Sequence, residues 1–313
     1  MSLEPYKSAR VVLIKSLSDL HPGTGRGGEI VDLMVQRDGI GFPVIYSSSL
    51  KGAMKTALYH KDRDKVLHKL LGPEPEEEEK FLSPVAVMTS YLLSFPVRSL
   101  KGVYTNVTSP FLLGRFLNYL DMASVLKAEY NGKAKLIKKI IDLGENIATT
   151  GFKSKHVVDG LGKAFLCEEF EVKEDSIRES EVMDEFKELI GLEKSDTLIS
   201  LNDNIAKGLI ERSLLRITRI RVNRDRKTVE KGGLWTEEAV PAGTIFFTAF
   251  LSYGKDYIKK LMERAKEEEG SKIAELTKPE GKDLVDIILD NIKYLIIGGD
   301  ETVGRGIVLL RGM

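Results

Sequence analysis

Five stretches of this 313-residue chain combine residue types that handle phosphate groups or protons. In His21-Pro22-Gly23-Thr24-Gly25-Arg26-Gly27-Gly28 an imidazole precedes four glycines, which let the backbone turn sharply and bring its amides close to a phosphate. His21 can move a proton near neutral pH, since an unperturbed imidazole titrates near ~6.5, or it can simply structure the loop. The stretch lacks the closing Gly-Lys-Ser/Thr of a phosphate-binding loop and the glycine spacing of a dinucleotide fingerprint, so neither nucleotide class is indicated. Phe42 to Gly52 runs from an extended segment into Ser47-Ser48-Ser49-Leu50-Lys51. Amides at a helix start attract anions, and Lys51 in a first turn opposes the helix dipole unless an anion sits there, so the segment reads equally as a phosphate contact through Ser49 and Lys51 or as a helix start with a solvated lysine.

Three further motifs follow. Phe95-Pro96-Val97-Arg98-Ser99-Leu100-Lys101-Gly102 alternates Arg98 and Lys101 with apolar positions, offering a planar fork and a point charge to phosphate, or solvated loop charges. Gly232-Gly233-Leu234-Trp235-Thr236-Glu237-Glu238 sets the single tryptophan beside paired carboxylates, and sequence does not separate Glu237 from Glu238. Gly298-Gly299-Asp300-Glu301-Thr302-Val303-Gly304-Arg305-Gly306 lies between two apolar runs and reads as strand, loop, strand, either with the amides around Gly304 and the Arg305 guanidinium offered to a nucleic-acid phosphate or as a tight turn without ligand.

The elements that must hold these loops can be read from periodicity. Alternating, β-branched runs predict strands at Ala9–Ser16, Val85–Ser94, Leu214–Val222, Thr244–Ser252 and Gly306–Leu310. Helical spacing predicts helices from a Ser48–Ser49 cap through Leu50, Met54 and Leu58, and at Pro110–Leu120, Lys133–Asp142, Asp256–Glu269 and Asp283–Ile292. Strands and helices are interspersed, which suits an α+β fold with helices on one side of the sheet, ferredoxin-like, better than a run of parallel βαβ units. Gly72–Lys80, with four adjacent glutamates, reads as a solvated loop, and Ala148–Glu174, without a clean period, as a long excursion or hairpin.

Composition limits the alternatives. Lys+Arg and Asp+Glu both total 47, so the formal net charge is zero and any nucleic-acid surface must be local. The one cysteine, Cys167, excludes an intramolecular disulfide and a cysteine-based zinc cluster, and a buried, inert thiol is expected. No run of about 18 apolar residues could span a bilayer, which leads to the expectation of a cytoplasmic protein with no membrane partner.

Taken in order and spacing from about His21 to Arg305, the five motifs resemble the repeat-associated (RAMP) CRISPR proteins. The terminal glycine loop marks RAMP proteins broadly. The Phe-Pro-Val-Arg and Gly-Gly-Leu-Trp segments look like the backbone ribonucleases of Cmr, type III-B, complexes. Tyr46-Ser47 stands where many members carry Pro-Gly. The resemblance implies one elaborated domain over residues 1–313: an RNA-recognition-motif-like palm with inserted helices and a β-hairpin thumb, here expected within 148–174. It implies copies stacked along a guide CRISPR RNA beside other Cmr subunits, and cleavage of target RNA at regular intervals by a divalent-metal-dependent endoribonuclease, with Mg²⁺ or Mn²⁺. The aspartate it assigns to the scissile position is Asp32, as metal-positioning or proton-accepting residue, with His21 and Glu237 in support. Ser49, Lys51, Arg98, Lys101, Gly304 and Arg305 would contact RNA. A guide-binding scaffold that does not cut is the alternative the same resemblance allows.

Overall fold

The computed structural model describes residues 3–26, 31–61, 67–74, 82–254, 257 and 283–313. In chain order the first half holds β1 (Tyr6–Ser16), β2 (Gly23–Arg26), β3 (Leu33–Val35), β4 (Val44–Ile45), α1 (Ser47–Lys61), β5 (Val85–Val87), β6 (Ser90–Ser99), β7 (Val103–Thr108), α2 (Pro110–Ser124) and α3 (Tyr130–Leu143). The second half holds β8 (Ile147–Ala148), α4 (Phe152–His156), β9 (Val157–Val158), β10 (Lys163–Leu166), β11 (Phe170–Lys173), β12 (Arg178–Glu179), α5 (Glu181–Ile190), β13 (Leu198–Ser200) and α6 (Asp203–Ser213). It closes with β14 (Leu215–Val222), β15 (Val229–Ala239), β16 (Ile245–Tyr253), α7 (Leu284–Asn291), β17 (Tyr294–Ile296) and β18 (Ile307–Gly312). The helix expected at Asp256–Glu269 and most of the glutamate run lie outside the described residues.

The main sheet runs in the order β12-β8-β13-β7-β6-β16-β1-β18-β17. At its centre β1 lies antiparallel to both β16 and β18, with Val12 opposite Thr248 and Gly312. Both faces of this centre are buried. On β1, Val12 and Ile14 join one apolar cluster while Ala9, Val11 and Leu13 join another. On β16, Phe246 and Phe250 face the first cluster, and Ile245, Phe247, Ala249 and Leu251 the second. Helices α1, α6 and α7 cover the first face and α2, α3 and α5 the second. The expectation of helices on one side is therefore corrected: a continuous apolar run such as Ile245-Phe246-Phe247 buries alternate side chains in opposite directions and needs cover on both.

Local signals start and stop the helices. Ser109 caps α2 through Leu112 N with Pro110 in the first turn, Ser180 caps α5 through Val182 N with Gly191 closing it in the left-handed region, and Asp283 caps α7 through Val285 N. Helix α1 departs from expectation. It begins at Ser47, and the Ser49 hydroxyl accepts from the Gln36 side chain instead of capping the helix.

The excursion at 148–174 also differs from the thumb expected there. Its strands are short: β9 and β11 flank β10, which joins the main sheet through Leu166 opposite Ser99. Cys167 is buried beside it, as expected. The long hairpin of the described residues is β14–β15, with Leu215 opposite Ala239 at its base and Val222 opposite Val229 near its tip. This hairpin belongs to a separate four-stranded sheet, β14-β15-β3-β2, that carries the glycine-rich loop.

Candidate active site

Three of the sequence motifs converge where the small sheet meets the β17–β18 loop. β3 pairs with β15 through Leu33 and Glu237, so Asp32, one residue before β3, lies against the hairpin base. Its Oδ2 accepts from the Thr236 amide at 2.8 Å. No other described group bonds the carboxylate, and Asp32 is exposed, so Oδ1 is free to face a ligand.

His21 is buried at the same junction. Its Nδ1 lies 2.6 Å from the Glu238 carbonyl oxygen. A carbonyl can only accept, so Nδ1 carries a proton, and in the tautomer this fixes, Nε2 is the nitrogen left to accept. Two glycines make room for the ring and its backbone. A Cβ on Gly23 would come within 2.7 Å of His21 Nε2, and one on Gly298, where φ is +89°, within 2.2 Å of the His21 carbonyl oxygen. The Gly299 amide donates to that same oxygen at 2.9 Å, tying the terminal loop to the first glycine motif.

The adjacent carboxylates of β15 point to opposite faces, as the two-residue period of a strand requires. Glu237 is 2% exposed and accepts from Trp235 Nε1 at 2.6 Å, Arg305 at 2.7 Å and Arg219 at 3.1 Å. Burial by itself pushes this carboxyl up, but the hydrogen bonds from Trp235, Arg305 and Arg219 outweigh it and hold the group at about 2. Such a carboxylate stays ionised at neutral pH and does not exchange protons. Glu238, on the other face, meets Arg37 at 2.9 Å, and Arg37 also reaches Glu211 at 3.1 Å. Both glutamates thus pin the hairpin base, one to the terminal loop and the other to β3 and α6.

The RNA-contact candidates fall into separate places. Arg305 is largely enclosed, its guanidinium divided between Glu237 and Asp300 at 2.6 Å. Both bonds come from Nη1, so two carboxylates tie the side chain to the hairpin base and leave Nε and Nη2 without a hydrogen bond to any described residue. Gly304 is left-handed at φ +82° and closes the short turn through its amide to Glu301. Arg98 pairs with Glu168 at 3.0 Å, and Lys101 donates to the Val157 carbonyl at 2.9 Å and to Asp159 at 3.1 Å. These two sit at the far end of β6. Ser90, which pairs with Ile45 just before α1, is eight residues from Arg98, roughly 26 Å along a strand.

Lys51 differs from the other basic candidates in having its ammonium uncommitted. It makes no hydrogen bond or ion pair with any described residue, while its neighbour Lys55 is held by the Pro73 carbonyl at 2.7 Å and Glu74 at 3.1 Å. Burial, with Lys55 adding, lowers the Lys51 pKa, so a phosphate there would restore a charge the site disfavours. Lys51 lines a groove of about 950 Å³ with Ser48, Tyr59 and Gly72. The Tyr46 turn before α1 is held without Pro-Gly: the Tyr46 amide donates to Gln36 Oε1 at 3.1 Å and its hydroxyl to the Arg37 carbonyl at 2.8 Å.

Sequence reasoning passed over Gln36, Arg37, Arg219 and Asp300. Arg219 had a signal: Arg216, Arg219 and Arg221 interrupt an otherwise apolar strand. Asp300 lay within the terminal glycine motif but had nothing to set it apart there, and Gln36 had no signal.

A two-sided palm, a projecting hairpin and glycine loops gathered at one junction define a class, and comparison with known families agrees. A model of the RAMP superfamily matches residues 13–308, and the chain belongs to that superfamily. Within it, the similarity is to Cmr4 proteins. The chain is 33% identical over 310 residues to the CRISPR system Cmr endoribonuclease Cmr4 of Pyrococcus furiosus, spanning 96% of this chain and 94% of the relative. It is 30% identical over 332 residues to the CMR subunit Cmr4 of Saccharolobus solfataricus, spanning 98% and 97%. Among solved structures, a chain of the type III-B Cmr-beta complex bound to cognate target RNA superposes with a TM-score of 0.75 at 33% identity, over 98% of both chains. Oligomeric Cmr4 from Pyrococcus furiosus superposes with a TM-score of 0.62 at 26% identity, again over 98% of both.

Proposed function

We propose that this chain is the repeated backbone subunit of a type III-B Cmr effector complex, binding guide CRISPR RNA and cutting complementary target RNA at Asp32. The observation that supports it most is the convergence of Asp32, His21 and Glu237 at one junction, in a chain alike over nearly its full length to a named endoribonuclease. The partners are further copies of this chain, other Cmr subunits and the two RNAs, in the cytoplasm. The palm is read as ferredoxin-like around β16, β1 and β18, and the thumb as β14–β15 instead of 148–174.

RNA carries its own nucleophile. The 2′-oxygen attacks the adjacent phosphorus, the bond to the 5′-oxygen breaks, a proton leaves the 2′-hydroxyl for a base and another reaches the departing oxygen. In this reading Asp32 orients that hydroxyl or accepts its proton, which is supported by one oxygen being fixed by Thr236 while the other has no bond to a described group. His21, with Nδ1 engaged, offers Nε2 as a second acceptor. Glu237 fixes the hairpin and takes no proton. A divalent cation, Mg²⁺ or Mn²⁺, fits the free Asp32 oxygen. One carboxylate with phosphate and waters is an ordinary site for such an ion, which when bound would supply positive charge to the phosphate. Among the described residues no cluster of three or more His, Cys, Asp or Glu forms a closed metal cage.

The test is cleavage of a guide-complementary RNA by the reconstituted complex, wild type against Asp32→Ala, with RNA binding measured in parallel. Regularly spaced cuts are expected to disappear in the variant while guide and target remain bound. Unchanged cuts would leave a scaffold that does not cut, or move the chemistry to other residues.

A further inference from the structure

Gln36 is the one described side chain hydrogen-bonded both to the glycine-rich strand and to the start of α1. Its Nε2 lies 3.2 Å from the Gly23 carbonyl oxygen and 3.2 Å from Ser49 Oγ, and its Oε1 accepts from the Tyr46 amide at 3.1 Å. The orientation of the amide follows from these partners. The Tyr46 N–H can only donate and the Gly23 carbonyl can only accept, so oxygen faces one and nitrogen the other. The backbone of Gln36 makes two more bonds in the same place, donating to the Pro22 carbonyl at 2.7 Å and accepting from Val44 at 3.0 Å. The residue is half-buried, which limits exchange of these bonds for water.

What it joins matters. Ser49 and Lys51 stand at the helix start assigned above to guide phosphate, and Gly23 lies in the strand that pairs with β3 directly after Asp32. A nuclease that cuts one phosphodiester and spares its neighbours must hold grip and cutting group at a fixed separation, and a misplacement of about 1 Å can cost roughly 100-fold in rate. From this geometry we infer that Gln36 is a positioning residue that sets the spacing between the guide contact at α1 and Asp32, and thereby which target phosphodiester is cut. The inference rests on the reading of Asp32 and Lys51 given above.

The test uses the assembled complex with its guide, and maps the 5′ ends of target fragments at single-nucleotide resolution alongside the single-turnover rate. Three variants are compared with wild type: Gln36→Met, which removes both ends of the bridge; Gln36→Glu, which keeps the acceptor for Tyr46 but has no N–H for Gly23; and Ser49→Ala, which removes one of the two contacts at α1 and leaves that of the Tyr46 amide. Cuts that spread to adjacent phosphodiesters, with guide content and target affinity within about twofold of wild type, are expected in both Gln36 variants; weaker spreading, counted per guide bound, is expected in Ser49→Ala, whose residue is itself read as an RNA contact. A slower rate with every cut at its wild-type position would mean a structural role only and would overturn the inference, as would wild-type rate and positions. If Gln36→Met loses its guide, Gln36→Glu decides the matter on the same criterion. Asp32→Ala, run in parallel, separates the two levels: cutting that survives it sinks the assignment of Asp32, whereas cutting lost there with unaltered register in the Gln36 variants sinks only the role of Gln36.

Discussion

Glu237 shows how a buried carboxylate can matter without doing acid–base chemistry. Trp235, Arg305 and Arg219 hold it at about 2, below its ordinary value of 4.5. A group whose folded-state pKa is depressed adds stability that is fully present above its unfolded value and is lost as pH falls through the folded one. Glu237→Gln is therefore expected to lower stability by roughly 3 kcal/mol at neutral pH, because two arginines lose a charged partner. The gap between wild type and variant should stay constant above about pH 5 and close toward about pH 2, as thermal melts across that range would show. A gap independent of pH would mean the glutamate contributes through packing and not through its charge.

At the scale of elements, the hairpin β14–β15 carries two unlike faces. Ile220 pairs across the strands with Leu234, and Val222 with Val229. All four are exposed, forming an apolar strip. Arg219, opposite Trp235, lies on the other face. Exposed apolar strips of this kind mark interaction surfaces. Replacing Ile220 and Leu234 by serine should leave the melting behaviour of the isolated chain nearly unchanged, within about 0.5 kcal/mol for each exposed site. Light scattering should show fewer copies assembled on a guide RNA. The hairpin also marks where sequence reading ran short. β14 was legible from its alternation, but β15 was not, because the buried pair Glu237 and Glu238 puts charge where an apolar residue would announce a strand. Helix α5 did have a readable pattern, with Met183, Phe186 and Ile190 between the Ser180 cap and Gly191, whereas three-residue strands such as β13 are too short to show a period. The proposed catalytic residues are singled out through the family resemblance, which assigns Asp32 and whose glycine-marked motifs contain His21 and Glu237. Sequence could not show that Asp300 and Glu237 share the Nη1 of Arg305.

For the whole molecule, zero net charge coexists with a strongly uneven distribution. Between residues 214 and 231 there are seven Lys or Arg and two Asp or Glu, all in the hairpin and its tip. A local excess of positive charge thus lies on the hairpin and its tip. Converting Arg221, Arg224 and Arg226 to glutamine should flatten the salt dependence of single-stranded RNA binding, by about 0.7 in the logarithmic slope for each phosphate left without its arginine. Arg305→Gln should leave that slope unaltered, since its guanidinium is engaged internally. Fluorescence anisotropy over a range of salt concentrations would distinguish the two.

The centre of the main sheet joins β1 to β16 and β18, strands drawn from residues 6–16, 245–253 and 307–312. During synthesis the amino-terminal strand emerges first and must wait for most of the chain before either neighbour exists, and the residues that form β18 follow later still. Closure of the palm is therefore a late event in the life of the nascent chain, and β1, apolar on both faces, depends until then on chaperones or provisional partners to keep it from pairing with another unfinished copy.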